Sequence, residues 1–114
     1  MTYIDGTLCA VKTADKETYK EYAEDVGAVF KEYGALNIVD CWGDDIPDGK
    51  MNSFNSAVMR EPNETVVFSW IAWPSKAVRD AAWEKVMKDP RVQRDMPFDG
   101  ARLIYGGFDV LADV

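Results

Sequence analysis

The chain has 114 residues, of which 47% are hydrophobic and 29% charged. This size and composition indicate one globular domain spanning residues 1–114. The 20 acidic and 13 basic residues give a formal net charge of −7, and a surface of that sign repels nucleic-acid phosphates and anionic lipids. The absence of histidine excludes Ser–His and Cys–His nucleophiles and removes the commonest metal ligand. We therefore expect no nucleic-acid partner, no membrane partner, no metal and no cofactor.

The first half of the chain predicts a strand, a helix and a second strand. Alternation over residues 3–12 predicts a strand with Ile4, Leu8 and Ala10 on one face and residues 3, 5, 7, 9 and 11 on the other. Thr13 or Asp15 can cap the helix that follows, and Gly34 can end it. Residues 36–43 then return to strand character, followed by a loop with a short helical turn around residues 54–59.

The second half repeats the pattern of strand, helix and strand. Residues 64–73 form a nearly continuous apolar run in which Ser69 is the only polar residue at the centre, which predicts a strand covered on both faces. A helix opens at Pro74 and Ser75 and is stopped by Asp89–Pro90. The last strand covers about residues 102–111, and its Gly106–Gly107 pair predicts either a bulge or a close approach of two backbones.

This element order predicts the ferredoxin-like βαββαβ plan, an α+β sandwich with two helices on one face of a four-stranded antiparallel sheet. The expected strand order is 4-1-3-2. Because the third strand needs cover on its second face as well, a second copy of the sheet is the expected cover. The sequence therefore predicts a homodimer whose sheets face each other.

The two cysteines, Cys9 and Cys41, are expected to be reduced and buried. They have no CxxC spacing, and one intervening strand would keep them roughly 9 to 10 Å apart, which is beyond disulfide reach. Because the N-terminus has no signal-peptide pattern and no window of the chain is long and apolar enough to span a membrane, a cytoplasmic location is expected.

Three stretches of the chain resemble a known family. They are residues 40–50 (DCWGDDIPDGK), residues 66–76 (VVFSWIAWPSK), and residues 96–100 (MPFDG) continuing to 105–108 (YGGF). Together they resemble the DUF1428 family of YbaA-like bacterial proteins. The resemblance implies the dimeric α/β-barrel form of the ferredoxin-like fold, whose superfamily includes cofactor-independent monooxygenases. It carries over no catalytic residue.

Without histidine, acid–base chemistry would fall to carboxylates in an apolar setting. Asp5 and Asp40 each interrupt an apolar strand, and alternation places Asp40 on the same face as Ile38 and Trp42. Asp40 is the candidate catalytic residue, acting as acid or base. The alternative, which we weigh more heavily, is that it bonds a neighbouring arginine or a backbone amide.

The candidate ligand-binding residues are three aromatic residues and one arginine. Aromatic side chains suit the walls of a pocket for a flat molecule, and an arginine can anchor a carboxylate; the residues are Trp42, Trp70, Tyr105 and Arg102, with Phe68 and Arg79 as further possibilities. The alternatives are that the aromatics form the core or the dimer interface and that the arginines pair with acids. For the acidic run from Asp44 to Asp48, a turn is favoured over a cation loop, because the ligand spacing of an EF-hand is missing.

Two functions stay open at this point. One is an enzyme of the cofactor-independent oxygenase or isomerase type that acts on a small, partly aromatic molecule in the barrel cleft. The other is a non-catalytic dimeric module that binds a metabolite or a protein. A cavity of ligand size with Asp40 or Asp5 opening into it would favour the enzyme.

Overall fold

A computed structural model describes residues 2–114, which form one four-stranded antiparallel sheet and three α-helices. The strands are β1 (Tyr3–Lys12), β2 (Asn37–Trp42), β3 (Glu64–Trp73) and β4 (Ile104–Asp109). The helices are α1 (Lys16–Glu32), the short α2 (Phe54–Ala57) and α3 (Lys76–Val86). The spatial strand order is β2-β3-β1-β4, which confirms the predicted ferredoxin-like plan.

The ends of α1 follow the prediction only in part. Gly34 has φ +119, a conformation that residues with a side chain rarely adopt, and it follows the last helical turn as expected. Asp15 stands at the N-cap position of α1, but its side chain makes no capping bond. The hydroxyl of Thr13 hydrogen bonds instead to that of Thr65, at 2.7 Å. The predicted caps are therefore wrong as side-chain caps.

The glycine pair of β4 lies in an unbroken ladder. Gly6 pairs with Gly106 and Asp5 with Gly107, so the strand has no bulge there. A Cβ at position 107 would collide with the Tyr3 side chain. The predicted bulge is therefore absent, and the close approach at Gly107 is made by a side chain rather than by a second backbone, because the ring of Tyr3 lies over β4.

Two buried clusters lie between the sheet and the helices. The larger is centred on Trp73, Phe30 and Val86, and the smaller on Cys9, Val11 and Val67. Phe30 packs edge-on against Trp83, with ring centroids 4.9 Å apart. Within residues 2–114, no helix is both long enough and apolar enough to cross a bilayer.

Asp5 is buried in this layer and is fully bonded. One oxygen, Oδ2, accepts hydrogen bonds from the indoles of Trp73 (2.8 Å) and Trp83 (2.9 Å). The Arg79 guanidinium donates to both oxygens, with a shortest distance of 2.7 Å. This confirms that Asp5 and Arg79 form a structural pair. The network joins β1 to β3 and α3 and leaves no room for a ligand on Asp5.

We predict that Arg79→Met will lower the free energy of unfolding by about 3 kcal/mol, because it leaves the Asp5 carboxylate buried without its cation. Urea unfolding followed by tryptophan fluorescence measures this change. Arg94→Met is the matched control, since it removes an exposed pair with Asp25 and should have a far smaller effect. Equal losses in the two variants would contradict a structural role for the Asp5 network.

Candidate functional site

A row of polar side chains crosses the sheet on its helix-covered face. The register pairs Asp40 of β2 with Ser69 of β3, Ser69 with Thr7 of β1, and Thr7 with Tyr105 of β4. Because side chains alternate along a strand, directly paired residues share a face. Four oxygen-bearing side chains therefore stand at one level, each on a different strand.

Asp40 is held by one of its two carboxylate oxygens. Oδ1 accepts a hydrogen bond from the Tyr19 hydroxyl of α1 at 2.7 Å and another from the Ser69 hydroxyl at 2.6 Å. Within residues 2–114, no side chain or backbone group donates to Oδ2. Asp40 is exposed, not enclosed in an apolar setting as the sequence suggested, so solvent reaches the carboxylate. Its orientation is fixed through Oδ1, and Oδ2 stays available as an acceptor.

The donors around Asp40 are neutral groups. Burial raises the pKa of the Tyr19 phenol well above its usual range, and the nearby Cys9 and Asp40 groups add to this. Burial also raises the pKa of the Cys9 thiol to about 12; the nearby Tyr19 hydroxyl opposes this shift and the charge of Asp40 adds to it. At neutral pH both groups carry their protons, so Tyr19 acts as a hydrogen-bond donor to Asp40 and Cys9 is no nucleophile.

The row forms part of the floor of a cavity of about 750 Å³ between the sheet, α1, α3 and the segment that follows α3. We call this the sheet–helix cavity. Its walls are mainly apolar and aromatic. They include Tyr22, Val26, Phe30, Ile71, Trp83 and Phe98. A cavity of this size and character is of the kind that holds small organic molecules.

Residues 93–96 and Phe98 form the far wall of the cavity and pack against α1. Phe98 packs edge-on against Tyr22 at 6.0 Å between ring centroids and also contacts Tyr19 at 6.3 Å. Arg94 lies over the Tyr22 ring at 5.5 Å and pairs with Asp25 at 3.0 Å. Tyr19 therefore links the aromatic wall to the Asp40 carboxylate.

A second cavity of about 610 Å³ lies between α1 and the edge strand β2. Asp40 and Trp42 both border it, and Lys16 stands over the Trp42 ring at 5.6 Å. Asp40 borders the sheet–helix cavity as well. It therefore lies at the boundary of both spaces, on the same face of β2 as Ile38 and Trp42, as alternation predicts.

The other predicted ligand residues are dispersed. Trp70 borders the cavity floor, but it alternates with Ser69 and Ile71, and its ring contacts Phe68 (5.8 Å) on the opposite face. Tyr105 reaches the polar row from the edge strand β4 and is 76% exposed. The structure thus brings Asp40 and Trp42 together, places Tyr105 at the far end of the row, and turns Trp70 away.

Arg102 is engaged with acids. Its guanidinium donates two hydrogen bonds to Glu64, both at 2.7 Å, and one to Asp99 at 3.0 Å. The contact with Arg102 is the main cause that lowers the pKa of Glu64 to about 2. This matches the alternative that paired the arginines with acids and leaves Arg102 outside the sheet–helix cavity.

Sequence reasoning missed Tyr19, Ser69 and Thr7. Tyr19 belongs to the apolar stripe of α1 and so resembles a core residue, and Thr7 is an ordinary strand residue. Ser69 did give a signal, because it is the one polar side chain at the centre of β3. Its partner is found only from the pairing register.

The acidic residues of the loop after β2 do not converge on one point. Asp48 accepts a hydrogen bond from Asn55 at 3.0 Å. Across residues 2–114, no three metal-ligating side chains are gathered at one point.

Comparison with known proteins gives a family match and full-length relatives. The family described as "Protein of unknown function (DUF1428)" matches residues 2–100. The "Uncharacterized protein YbaA" of Escherichia coli K12 is 53% identical over 116 aligned positions, covering 99% of both chains. A relative with the same description from Shigella flexneri shows the same identity and coverage.

Solved structures agree on the fold. SnoaB, a cofactor-independent oxygenase from Streptomyces nogalater, superposes with a TM-score of 0.59 at 13% identity, covering 99% of this chain and 96% of that one. An uncharacterized NIPSNAP domain protein from Burkholderia xenovorans gives 0.50 at 14% identity, covering 96% and 95%. At such identities the likeness extends to the fold alone.

We predict that Cys9 in the folded protein will react with iodoacetamide at pH 8 at least about a hundredfold more slowly than in urea, because its raised pKa suppresses the thiolate. The Cys41→Ala variant leaves Cys9 as the sole thiol, and mass spectrometry follows the reaction. Rapid alkylation of the folded protein would show that Cys9 is not a protonated thiol within the sheet–helix cavity.

Proposed function

The chain belongs to the DUF1428 family, and we propose that it binds a small, partly aromatic molecule in the sheet–helix cavity, with Asp40 as the polar anchor. One observation carries this proposal. Asp40 presents an unbonded oxygen beside a cavity of about 750 Å³, while Tyr19 and Ser69 hold its other oxygen. Asp40 is exposed at the border of this cavity, so a ligand can reach the unbonded oxygen, whereas the buried Asp5 has both oxygens occupied.

The chemistry of the site favours a ligand that donates a hydrogen bond. Oδ2 of Asp40 is an acceptor, and aromatic walls suit a flat ring. A phenol, an enol or a ring N–H meets both requirements. The negative charge of the Asp40 carboxylate disfavours a ligand that presents its own carboxylate next to Oδ2.

Asp40 is also suitably placed to move a proton. In an isomerase, Oδ2 would take a proton from one atom of the ligand and return it to another, so no cofactor is needed. In a cofactor-independent oxygenase, Oδ2 would likewise remove a proton from the ligand. The resulting ligand anion is electron-rich and would be the species that O₂ oxidises. A non-catalytic binding module would use the same hydrogen bond without the transfer.

We predict that 2-naphthol will bind in this cavity and that Asp40→Ala will weaken its binding roughly ten- to a hundredfold, the effect of one charge-assisted hydrogen bond. Titrations followed by ¹H–¹⁵N NMR measure the affinity and locate the probe through the Trp83 indole signal. Naphthalene, which lacks the hydroxyl, should bind the variant and the wild type equally.

Asp45→Ala is the matched control, because Asp45 is an exposed residue of the loop after β2. It should leave 2-naphthol binding unchanged. The proposal is wrong if 2-naphthol shifts no cavity signals, or if Asp40→Ala binds it as tightly as the wild type does.

The sheet face away from α1 and α3 carries a large apolar surface, which we call the open face. Its interior and edge strands expose aromatic and aliphatic side chains there, among them Ile4, Leu8, Phe68, Trp70, Ile104 and Phe108. Phe68 is 43% exposed and Phe108 is 60% exposed. Patches of this kind mark interaction sites on monomeric domains.

We propose a second copy of this chain as the partner of the open face. The segment around α2 covers part of this face, where Val58 packs on Ala10 and Val66 and Phe54 contacts Phe68 at 6.3 Å between ring centroids. The remaining apolar surface, which includes Ile104 and Phe108, is exposed. Two such faces can pack as aligned sheets about a two-fold axis. The sheet–helix cavity lies on the other face, so dimerisation and ligand binding do not compete for surface.

We predict that light scattering will give about twice the chain mass of 12.8 kDa for the wild-type protein at micromolar concentration. Phe68→Asp should give the single-chain mass, because it places a charge on the open face, which the dimer would bury. Ala81→Asp, on the exposed side of α3, is the matched control and should stay dimeric. A wild-type protein of single-chain mass would contradict the dimer.

A cytoplasmic location fits the thiols. Cys9 and Cys41 are both free, although the prediction that both are buried is wrong for Cys41, which is half-buried on the edge strand β2. Unpaired cysteines are typical of a reducing compartment.

A further inference from the structure

Thr7 lies in the floor of the sheet–helix cavity, two strands away from Asp40. It is half-buried, and within residues 2–114 its hydroxyl hydrogen bonds to no other residue. Within residues 2–114 no buried side-chain oxygen lacks a hydrogen-bond partner, so the Thr7 hydroxyl is reached by solvent, and a ligand in the cavity would take the place of that water contact. Thr7 therefore offers a second polar contact in the same space as Asp40.

Ser69 stands between these two groups and is not available in the same way. It is buried, and its proton is committed to Oδ1 of Asp40 at 2.6 Å. The row thus has two free groups, Oδ2 of Asp40 and the hydroxyl of Thr7, separated by one occupied group. With about 4.8 Å between neighbouring strands, the two free groups lie roughly 10 Å apart.

The rows on either side offer no free polar group, because Asp5, which pairs with Ile71 in one of them, has both oxygens bonded. One level along the strands, Ile38 and Ile71 are paired on the same face, and at the other neighbouring level Cys9 pairs with Val67. A flat ligand on this floor satisfies its polar groups only along the line from Asp40 to Thr7. This line limits both the length and the polarity of the molecule that fits.

We propose that Thr7 is the second ligand-anchoring residue of the cavity and that the Asp40–Thr7 pair selects molecules with a polar group at each end of a body two rings long. This inference rests on the proposed function, since it adds a second contact to the ligand held at Asp40. Asp40 accepts from one end, and Thr7 donates to or accepts from an oxygen at the other. Thr7 is a specificity-determining residue here and takes no part in proton transfer.

The test compares two probes that differ by one hydroxyl, 2-naphthol and 2,6-dihydroxynaphthalene. The second hydroxyl should raise the affinity for the wild-type protein roughly three- to tenfold, as expected of one additional hydrogen bond. Thr7→Val keeps the shape of the side chain and should remove that gain while leaving the affinity for 2-naphthol unchanged. Thr7→Ser restores a hydroxyl and should restore the gain.

Thr18→Val serves as the control, because Thr18 lies on the exposed face of α1. It should behave as the wild type with both probes. The NMR signals of Thr7 and Ser69 locate the added hydroxyl.

The outcomes separate the two proposals. If 2-naphthol binds through Asp40 but the second hydroxyl adds nothing, or if Thr7→Val keeps the gain, the role of Thr7 is wrong and the proposed function stands. If neither probe binds in the cavity, both are wrong. A gain that disappears in Thr7→Val and returns in Thr7→Ser supports both.

Discussion

Asp5 places a carboxylate, 4% exposed, in the apolar layer between the sheet and the helices. A charge buried there costs several kcal/mol unless it is paired and hydrogen bonded. Two indoles and one guanidinium meet that requirement, and they come from β3 and α3. Because the donors must converge on one residue of β1, the network fixes α3 on the sheet. The position of α3 in turn sets the height of the sheet–helix cavity, which α3 and the following segment enclose.

Asp40 is the second carboxylate on the helix-covered face, and only one of its two oxygens is hydrogen bonded. Both carboxylates stand on the helix-covered face. The row of paired residues that contains Asp40 is the next row along the strands from the row that contains Asp5. Asp5 has a cation, whereas Asp40 has two neutral hydroxyl donors on a single oxygen. Neutral donors orient a carboxylate without cancelling its charge. The two acids therefore differ in role: the buried Asp5 forms a structural ion pair, whereas the exposed Asp40 keeps an unbonded oxygen, which our proposal assigns to a ligand.

The sequence predicts the fold well because its strongest signals are local. The apolar run of β3, the stripe of α1 and the turn formers at Gly34 and Asp89 each act within a few residues. The site depends on pairing between distant strands. Trp42 and Trp70 both appear suited to line a pocket, yet the register places their rings on opposite faces. Arg102 finds Glu64 across the fold, and no local pattern predicts which acid an arginine meets.

The polar row is costly in a sheet of this kind. Ser69 interrupts the most apolar strand of the chain, and Thr7 places a hydroxyl where an aliphatic side chain would pack without a polar requirement. Ser69 restrains Asp40, but the free hydroxyl of Thr7 and the free oxygen of Asp40 stabilise nothing within residues 2–114. Both groups are reached by solvent, so the ligand that we propose for the sheet–helix cavity would bond them without breaking any contact of the fold.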